Sequence, residues 1–197
     1  MTLLLKLSQL IDWLNERVGK GAFWLVLIMT LISAGNAVVR FAFNYSSNGL
    51  LEIQWYLFAA VFLLCSPYTL QKNEHVRIDV LSGKLSPRGL AVIDIIGTLF
   101  FLLPMVVVVL WLSLPLVAES YKINEHSANA GGLIRWPVKI LLPIGFALLA
   151  LQGVSELIKR IAFLAGMIDD PNNKAKGPTP EEELAAAIAA AKAQEAK

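Results

Sequence analysis

The sequence predicts an all-α membrane protein: four transmembrane helices preceded by an amphipathic interfacial helix, with both termini cytoplasmic. Three observations carry that prediction. Four apolar runs are each long enough to cross a hydrocarbon core about 30 Å thick, which takes roughly 20 helical residues. Of 197 residues 56% are hydrophobic and 16% charged, with a mean hydropathy of +0.62, whereas soluble domains carry about 25% charged residues. Lys and Arg are also unevenly distributed between the connecting segments, as topology requires.

The first element, residues 1–21, places Leu3, Leu7, Leu10, Ile11, Leu14 and Val18 at helical spacing, with Gln9, Asp12, Glu16 and Lys20 on the other side and Trp13 at its flank. It reads as an amphipathic helix lying on the inner leaflet or docked on a partner. A four-helix domain over residues 22–165 follows, with spans near Ala22 to Phe43, Leu50 to Tyr68, Leu90 to Leu112 and Pro137 to Ile158. The first apolar run is not expected to be a cleaved signal, because more than twenty residues precede it and it continues past the small residues of "SAGNA". Pro67, Pro104 and Pro143 lie within spans, where neighbours can satisfy the freed carbonyls, so kinks are expected rather than breaks. Residues 166–197 read as a cytoplasmic linker, "DDPNNKAKGPTP", and an Ala-rich helical tail without a core.

Nine basic residues (Lys6, Arg17, Lys20, Lys72, Arg77, Lys84, Arg88, Lys159, Arg160) fall on one side of this arrangement and four (Arg40, Lys122, Arg135, Lys139) on the other. The richer side is assigned to the cytoplasm. Trp24 and Tyr68 then fall at the inner boundary, and Trp55, Trp111 and Trp136 near the outer one. The segment "QKNEHVRIDVL" becomes the cytoplasmic exit of span two, where His75, Arg77 and Asp79 hold topology and meet lipid headgroups. His126 falls on the opposite side, so the two histidines do not share a metal site.

No catalytic residues, metal site or cofactor are expected. Haem ligation needs facing histidines or methionines within the bundle, intramembrane proteolysis needs a buried nucleophile and base or paired aspartates, and neither pattern lies in the spans. Cys65 reads as a packing residue. A net charge of +2 without clustered basic residues excludes a nucleic-acid partner. Glu52, Asp94 and Glu156 are the ionisable groups nearest membrane depth, all within a turn or two of an interface. Arg40 and Glu52, each about one turn from the short outer loop, are expected to pair, directly or through a shared partner. The outer loop from Glu119 to Trp136 is rich in turn formers (Asn124, Ser127, Asn129, Gly131, Gly132) and offers Lys122, Glu125 and Arg135 as charges for periplasmic docking.

Two longer stretches, "EIQWYLFAAVFLLCSPYTLQKNEHVRIDVL" and "NEHSANAGGLIRWPVKILLPIGFALLALQGVSELIKR", on four spans with both ends inside, resemble the small membrane subunit of the tripartite ATP-independent periplasmic (TRAP) transporters. The likeness covers roughly residues 20 to 165, and its most specific parts are the acid opening span two, the His-Val-Arg-Ile-Asp exit, and the Gly-Gly, Trp-Pro and Pro-Ile-Gly-Phe elements. The resemblance implies a scaffold subunit of a sodium-driven importer of organic acids in the bacterial inner membrane. Its implied partners are a large multi-spanning, elevator-type permease and a periplasmic substrate-binding protein, besides membrane lipids. It implies no substrate site here, and an interface role for Arg40, Glu52, Trp55, His75, Arg77, Asp79 and Glu156. The alternative reading is an independent four-helix carrier or a lipid-binding membrane protein.

Overall fold

A computed structural model describes residues 2–45, 47–73 and 86–170. His75, Arg77, Asp79 and the Ala-rich tail lie outside them. The helices are α1 (Thr2–Phe43), α2 (Asn48–Lys72), α3 (Pro87–Gly97), a π-turn (Thr98–Leu102), α4 (Leu103–Lys122), the single turn α5 (Trp136–Lys139) and α6 (Leu141–Leu164). Four helical stretches are long and apolar enough to cross a membrane: α1, α2, Pro87–Lys122 and Trp136–Leu164.

Local chemistry sets the helix ends. α2 stops where Asn73 turns left-handed (φ 57°) and its N–H returns to Leu70 O at 3.1 Å, because a short polar side chain tolerates that conformation. α3 starts at Ser86, whose hydroxyl accepts from Gly89 N at 3.2 Å, with Pro87 in the first turn where its missing N–H costs nothing. The prolines act differently from one another. α2 runs on through Pro67, whereas just before Pro104 the helix widens, and Leu103 N–H bonds back five residues to Thr98 O. Pro104 has no N–H for the carbonyl four residues earlier, and a π-turn there relieves the clash of its ring with the preceding turn.

α6 is the hub, touching α1, α2, α3 and α4, while α1 and α2 form a long antiparallel hairpin. Close approaches depend on small residues. A Cβ on Gly19 would stand 2.7 Å from Tyr68 Cβ, and one on Gly145 would stand 2.9 Å from the backbone oxygen of Leu63, so α2 is pressed against both neighbours. Phe23 then meets Tyr68 edge-on, with ring centroids 6.0 Å apart.

The interfacial segment and the first span are one continuous helix of 42 residues, passing residue 21 without a break. Its buried face is not the leucine stripe. Ser8, Ile11, Asn15, Gly19 and Ala22 face inward, while Leu3, Leu7, Leu10 and Leu14 are exposed. Asp12, expected on the water side, turns instead toward α6, with its side chain only 22% exposed. On soluble proteins amphipathic helices bury the apolar side. Here Ser8, Asp12 and Asn15 take the inward side because α6 offers them hydrogen-bond partners, while Lys6, Gln9, Arg17 and Lys20 stay exposed.

Candidate functional site

The described polar side chains gather at the two ends of the bundle. At the end where α1 turns into α2, Glu52 is 3% exposed, although it sits in the second turn of α2. Its carboxylate is held by the loop between α4 and α5. Oε1 accepts from the Ser127 hydroxyl and from Asn129 Nδ2 (2.8 Å), and Oε2 accepts from Leu133 N (2.7 Å). The loop is shaped to reach it. Asn124 and Gly131 take left-handed backbone (φ 46° and 71°), Gly132 N donates to Asn129 O, and Ser127 N to Leu133 O across a short antiparallel bridge at His126 and Ile134. Asn48 Nδ2 also donates to Ala130 O at 3.0 Å. The loop thus lies as a cap on the start of α2, with one buried carboxylate at its centre. Charge-assisted bonds of this kind are roughly twice as strong as neutral ones.

The expected Arg40–Glu52 pair does not form. Arg40 is exposed on α1, and the carboxylate takes its partners from a loop 75 to 81 residues away. Antiparallel depth put the two residues at one level, but lateral direction separated them. Trp55, one turn on, is 64% exposed. Lys122 is exposed at the end of α4. Glu125 is engaged within the chain: Lys139 bonds its Oε2 and Arg135 lies 4.0 Å from its Oε1. The Lys139 hydrogen bond holds the Glu125 carboxyl below the usual glutamate range, and the nearby Arg135 charge acts in the same direction. Tyr121 and Trp136 stack edge-on at 5.4 Å and close the base of the loop.

At the other end a second network joins α1 to α6. Gln152, fully buried, accepts from Asn15 Nδ2 (2.7 Å) and donates to Asp12 Oδ1 (2.8 Å) and Glu156 Oε1 (3.2 Å). Ser155 donates to Asp12 Oδ1 (2.7 Å), which leaves its oxygen to accept from Ser8 at 2.7 Å. Lys159 Nζ bridges the two carboxylates, 3.1 Å from Asp12 Oδ2 and 2.5 Å from Glu156 Oε1. Gln71 Nε2 adds a bond to Asp12 O at 3.1 Å and ties in α2. Arg160 extends the network to Asp94 of α3 at 3.4 Å. Glu156 is therefore a member of a helix-joining cluster, and Asp12, Asn15, Gln152 and Ser155 are members that sequence reasoning missed. A signal existed. Ser8, Asp12 and Asn15 recur at i, i+4 and i+7, and Gln152, Ser155, Glu156 and Lys159 at i, i+3, i+4 and i+7, two matching polar stripes on separate helices.

Both sites are fastenings: a carboxylate that holds a loop, and a hydrogen-bonded ion cluster that holds helices. Among the described residues no group of three His, Cys, Asp or Glu side chains converges as a metal site would. The fold and these sites define a four-span helical membrane protein that presents shaped surfaces. The chain belongs to the family described as the tripartite ATP-independent periplasmic transporters, DctQ component, whose model matches residues 29–163. It is also 27% identical over 97 residues to a Haemophilus influenzae protein named as a TRAP transporter small permease, an alignment spanning 49% of this chain and 60% of that relative. No solved structure matches the chain.

Proposed function

We propose that this chain is the scaffold subunit of a binding-protein-dependent secondary importer of organic acids, driven by a sodium gradient, in a bacterial inner membrane. In this reading it braces a large elevator-type permease with both of its termini in the cytoplasm. The observation that carries the proposal is the reversed dressing of α1. Ser8, Asp12 and Asn15 turn to α6 and Gly19 to α2, and Leu3, Leu7, Leu10, Trp13 and Leu14 are left facing outward. At about 1.5 Å per residue, α1 is about 63 Å long, twice the hydrocarbon thickness of about 30 Å. A helix so long and so apolar on its outer side is suited to lie along another membrane protein and broaden it.

The loop cap over Glu52 supplies the second surface. On the periplasmic side in this topology, it is a rigid platform on which a loaded binding protein rests, with Lys122 and Arg135 exposed at its rim. Rim charges of this kind set association rate and its salt dependence more than affinity. Membrane transport as the role is consistent with the DctQ family.

Co-expression with a large TRAP permease subunit tests the reading. The two chains are expected to purify as one complex, and proteoliposomes holding both are expected to take up an organic acid only with sodium and the binding protein present. Uptake by this chain alone would instead make it an independent carrier.

A further inference from the structure

The Arg40–Glu52 pair that does not form leaves Arg40 exposed one turn from the end of α1, with no ion pair or hydrogen bond among the described residues. Steps of three or four residues connect it to a stripe of mostly small and polar side chains along the whole helix, from Ser8 through Asp12, Asn15 and Gly19 to Ser33, Ala37 and Arg40. The stripe has two fates. Ser8, Asn15, Gly19 and Ala22 of its first half are buried in the bundle, whereas from Val26 onward Thr30, Ser33, Ala37 and Arg40 are exposed. The hydrogen bonds joining α1 to α6 stop at Asn15 and Leu148, beyond which α6 turns to α2, with Gly145 against Leu63. We infer that the open half of the stripe seats one transmembrane helix of the large permease, with small residues at the crossing and a carboxylate level with Arg40. The inference rests on the bracing role proposed above and names the face and the chemistry of that contact.

Depth argues for a protein cover over a lipid one. Ser33 lies ten residues before the end of α1 at Phe43, about 15 Å along the axis at about 1.5 Å per residue. With Phe43 at the membrane boundary, that is the middle of a hydrocarbon core about 30 Å thick. Acyl chains offer nothing to a hydroxyl at that level, and headgroups do not reach it. Thr30 meets the same need inside α1, by bonding back to Val26 O at 2.8 Å. Asn36, beside the stripe and 9% exposed, keeps an Oδ1 without a hydrogen-bond partner among the described residues, an acceptor for a donor on an incoming helix. Ser33 and Ala37, four residues apart, let another backbone approach closely. Charge argues against a second copy of this chain. Copies inserted with one topology run parallel, so a symmetric contact through this stripe would set Arg40 against Arg40, whereas a carboxylate answers a guanidinium with two parallel bonds.

The test co-expresses the full chain with a large TRAP permease subunit and measures how much of that subunit is recovered by affinity purification of this chain. Ala37→Trp, which blocks close approach at an exposed position, is expected to lower recovery at least about fivefold, with the melting temperature of the isolated chain unchanged. Arg40→Glu is expected to lower it at least about fivefold as well, because it sets two carboxylates face to face. Single Asp or Glu to Lys changes at the same membrane boundary of the large subunit are then screened against Arg40→Glu, and one of them is expected to restore recovery, a rescue that lipid contact by Arg40 does not produce. Val108→Trp, at an exposed position on α4, is expected to leave recovery as it was. Full recovery with both Ala37→Trp and Arg40→Glu would overturn the inference and leave the bracing role standing, and so would an equal loss with Val108→Trp. Loss with Arg40→Glu that no reversed acid restores would assign Arg40 to lipid phosphate and overturn it too. No complex with the wild-type chain would overturn the bracing role and the inference together.

Discussion

The two ends of the bundle solve the same problem, a carboxylate buried in a membrane protein, by opposite means. Glu52 is satisfied by neutral donors, a hydroxyl, an amide and a backbone N–H, all from one loop. Asp12 is satisfied by Lys159, Gln152 and Ser155, all on another helix, and Glu156 shares Lys159 and Gln152 with it from within that helix. Neutral donors fix the shape of a surface and leave the helices alone. A shared ammonium between helices holds the helices themselves, because the pair it makes with Asp12 runs from α6 to α1. Surface definition and fold integrity are thus separated by about the length of α2.

That contrast predicts a graded series. Asp12→Ala is expected to do most harm, on the order of 3 kcal/mol, since it removes the one α1 carboxylate that accepts from Lys159, Gln152 and Ser155 of α6. Thermal unfolding of the detergent-solubilised chain measures it, and a melting temperature within a degree or two of wild type would erase the distinction between the ends. Glu52→Gln is expected to cost about 1–2 kcal/mol, because one amide oxygen replaces the two carboxylate oxygens that serve three donors. Its signature is faster proteolysis within residues 124–135 while the α1–α6 contact stays protected; loss of protection across both ends would merge the two into one cooperative unit.

Reversing both charges of the outer rim, with Lys122→Glu and Arg135→Glu, touches neither network's centre. Stability is expected to move by less than about 1 kcal/mol. Uptake at limiting binding protein is expected to slow several-fold at low salt and recover as salt screens the rim. Salt-independent slowing would point to altered loop shape rather than lost steering. The smallest effect concerns pH. Glu125 titrates below the ordinary glutamate value, about 4.3, so its bond to Lys139 contributes fully above that value and is lost as pH falls through the depressed folded pKa. Fluorotryptophan NMR at Trp136 is expected to show the loop base loosening only at such acid pH, with the α1–α6 end unaffected.

The architecture was legible from hydropathy alone, since four apolar runs and their intervening charges fix four helices whatever their packing. Helix ends were less so, because termini such as Thr69 to Lys72 and Ser113 to Lys122 stay helical beyond the bounds set by the apolar runs. The turn-forming residues of the outer loop were visible, and Asn124 and Gly131 adopt the left-handed backbone their types allow. What Glu52 would bind was not visible. Depth along a span can be counted, but the direction a side chain faces depends on which helices are neighbours, and a loop 75 residues away leaves no trace in local pattern. Asp12 was read as water-facing because its partners on α6 lay 140 residues or more further on.

That separation has a consequence for biogenesis. α1 leaves the ribosome early, yet Ser8 and Asp12 find their partners only on Ser155 and Lys159, 147 residues downstream. At a synthesis rate of about 5–20 residues per second, roughly 7 to 30 seconds pass before those partners exist. Through that interval the leucine stripe can already settle among acyl chains, while the polar stripe has only water, headgroups or the insertion machinery to bond with. The span of α6 therefore completes the much earlier α1, and a chain truncated before Gln152 would carry an inserted but unlocked α1, a ready substrate for membrane quality-control proteases.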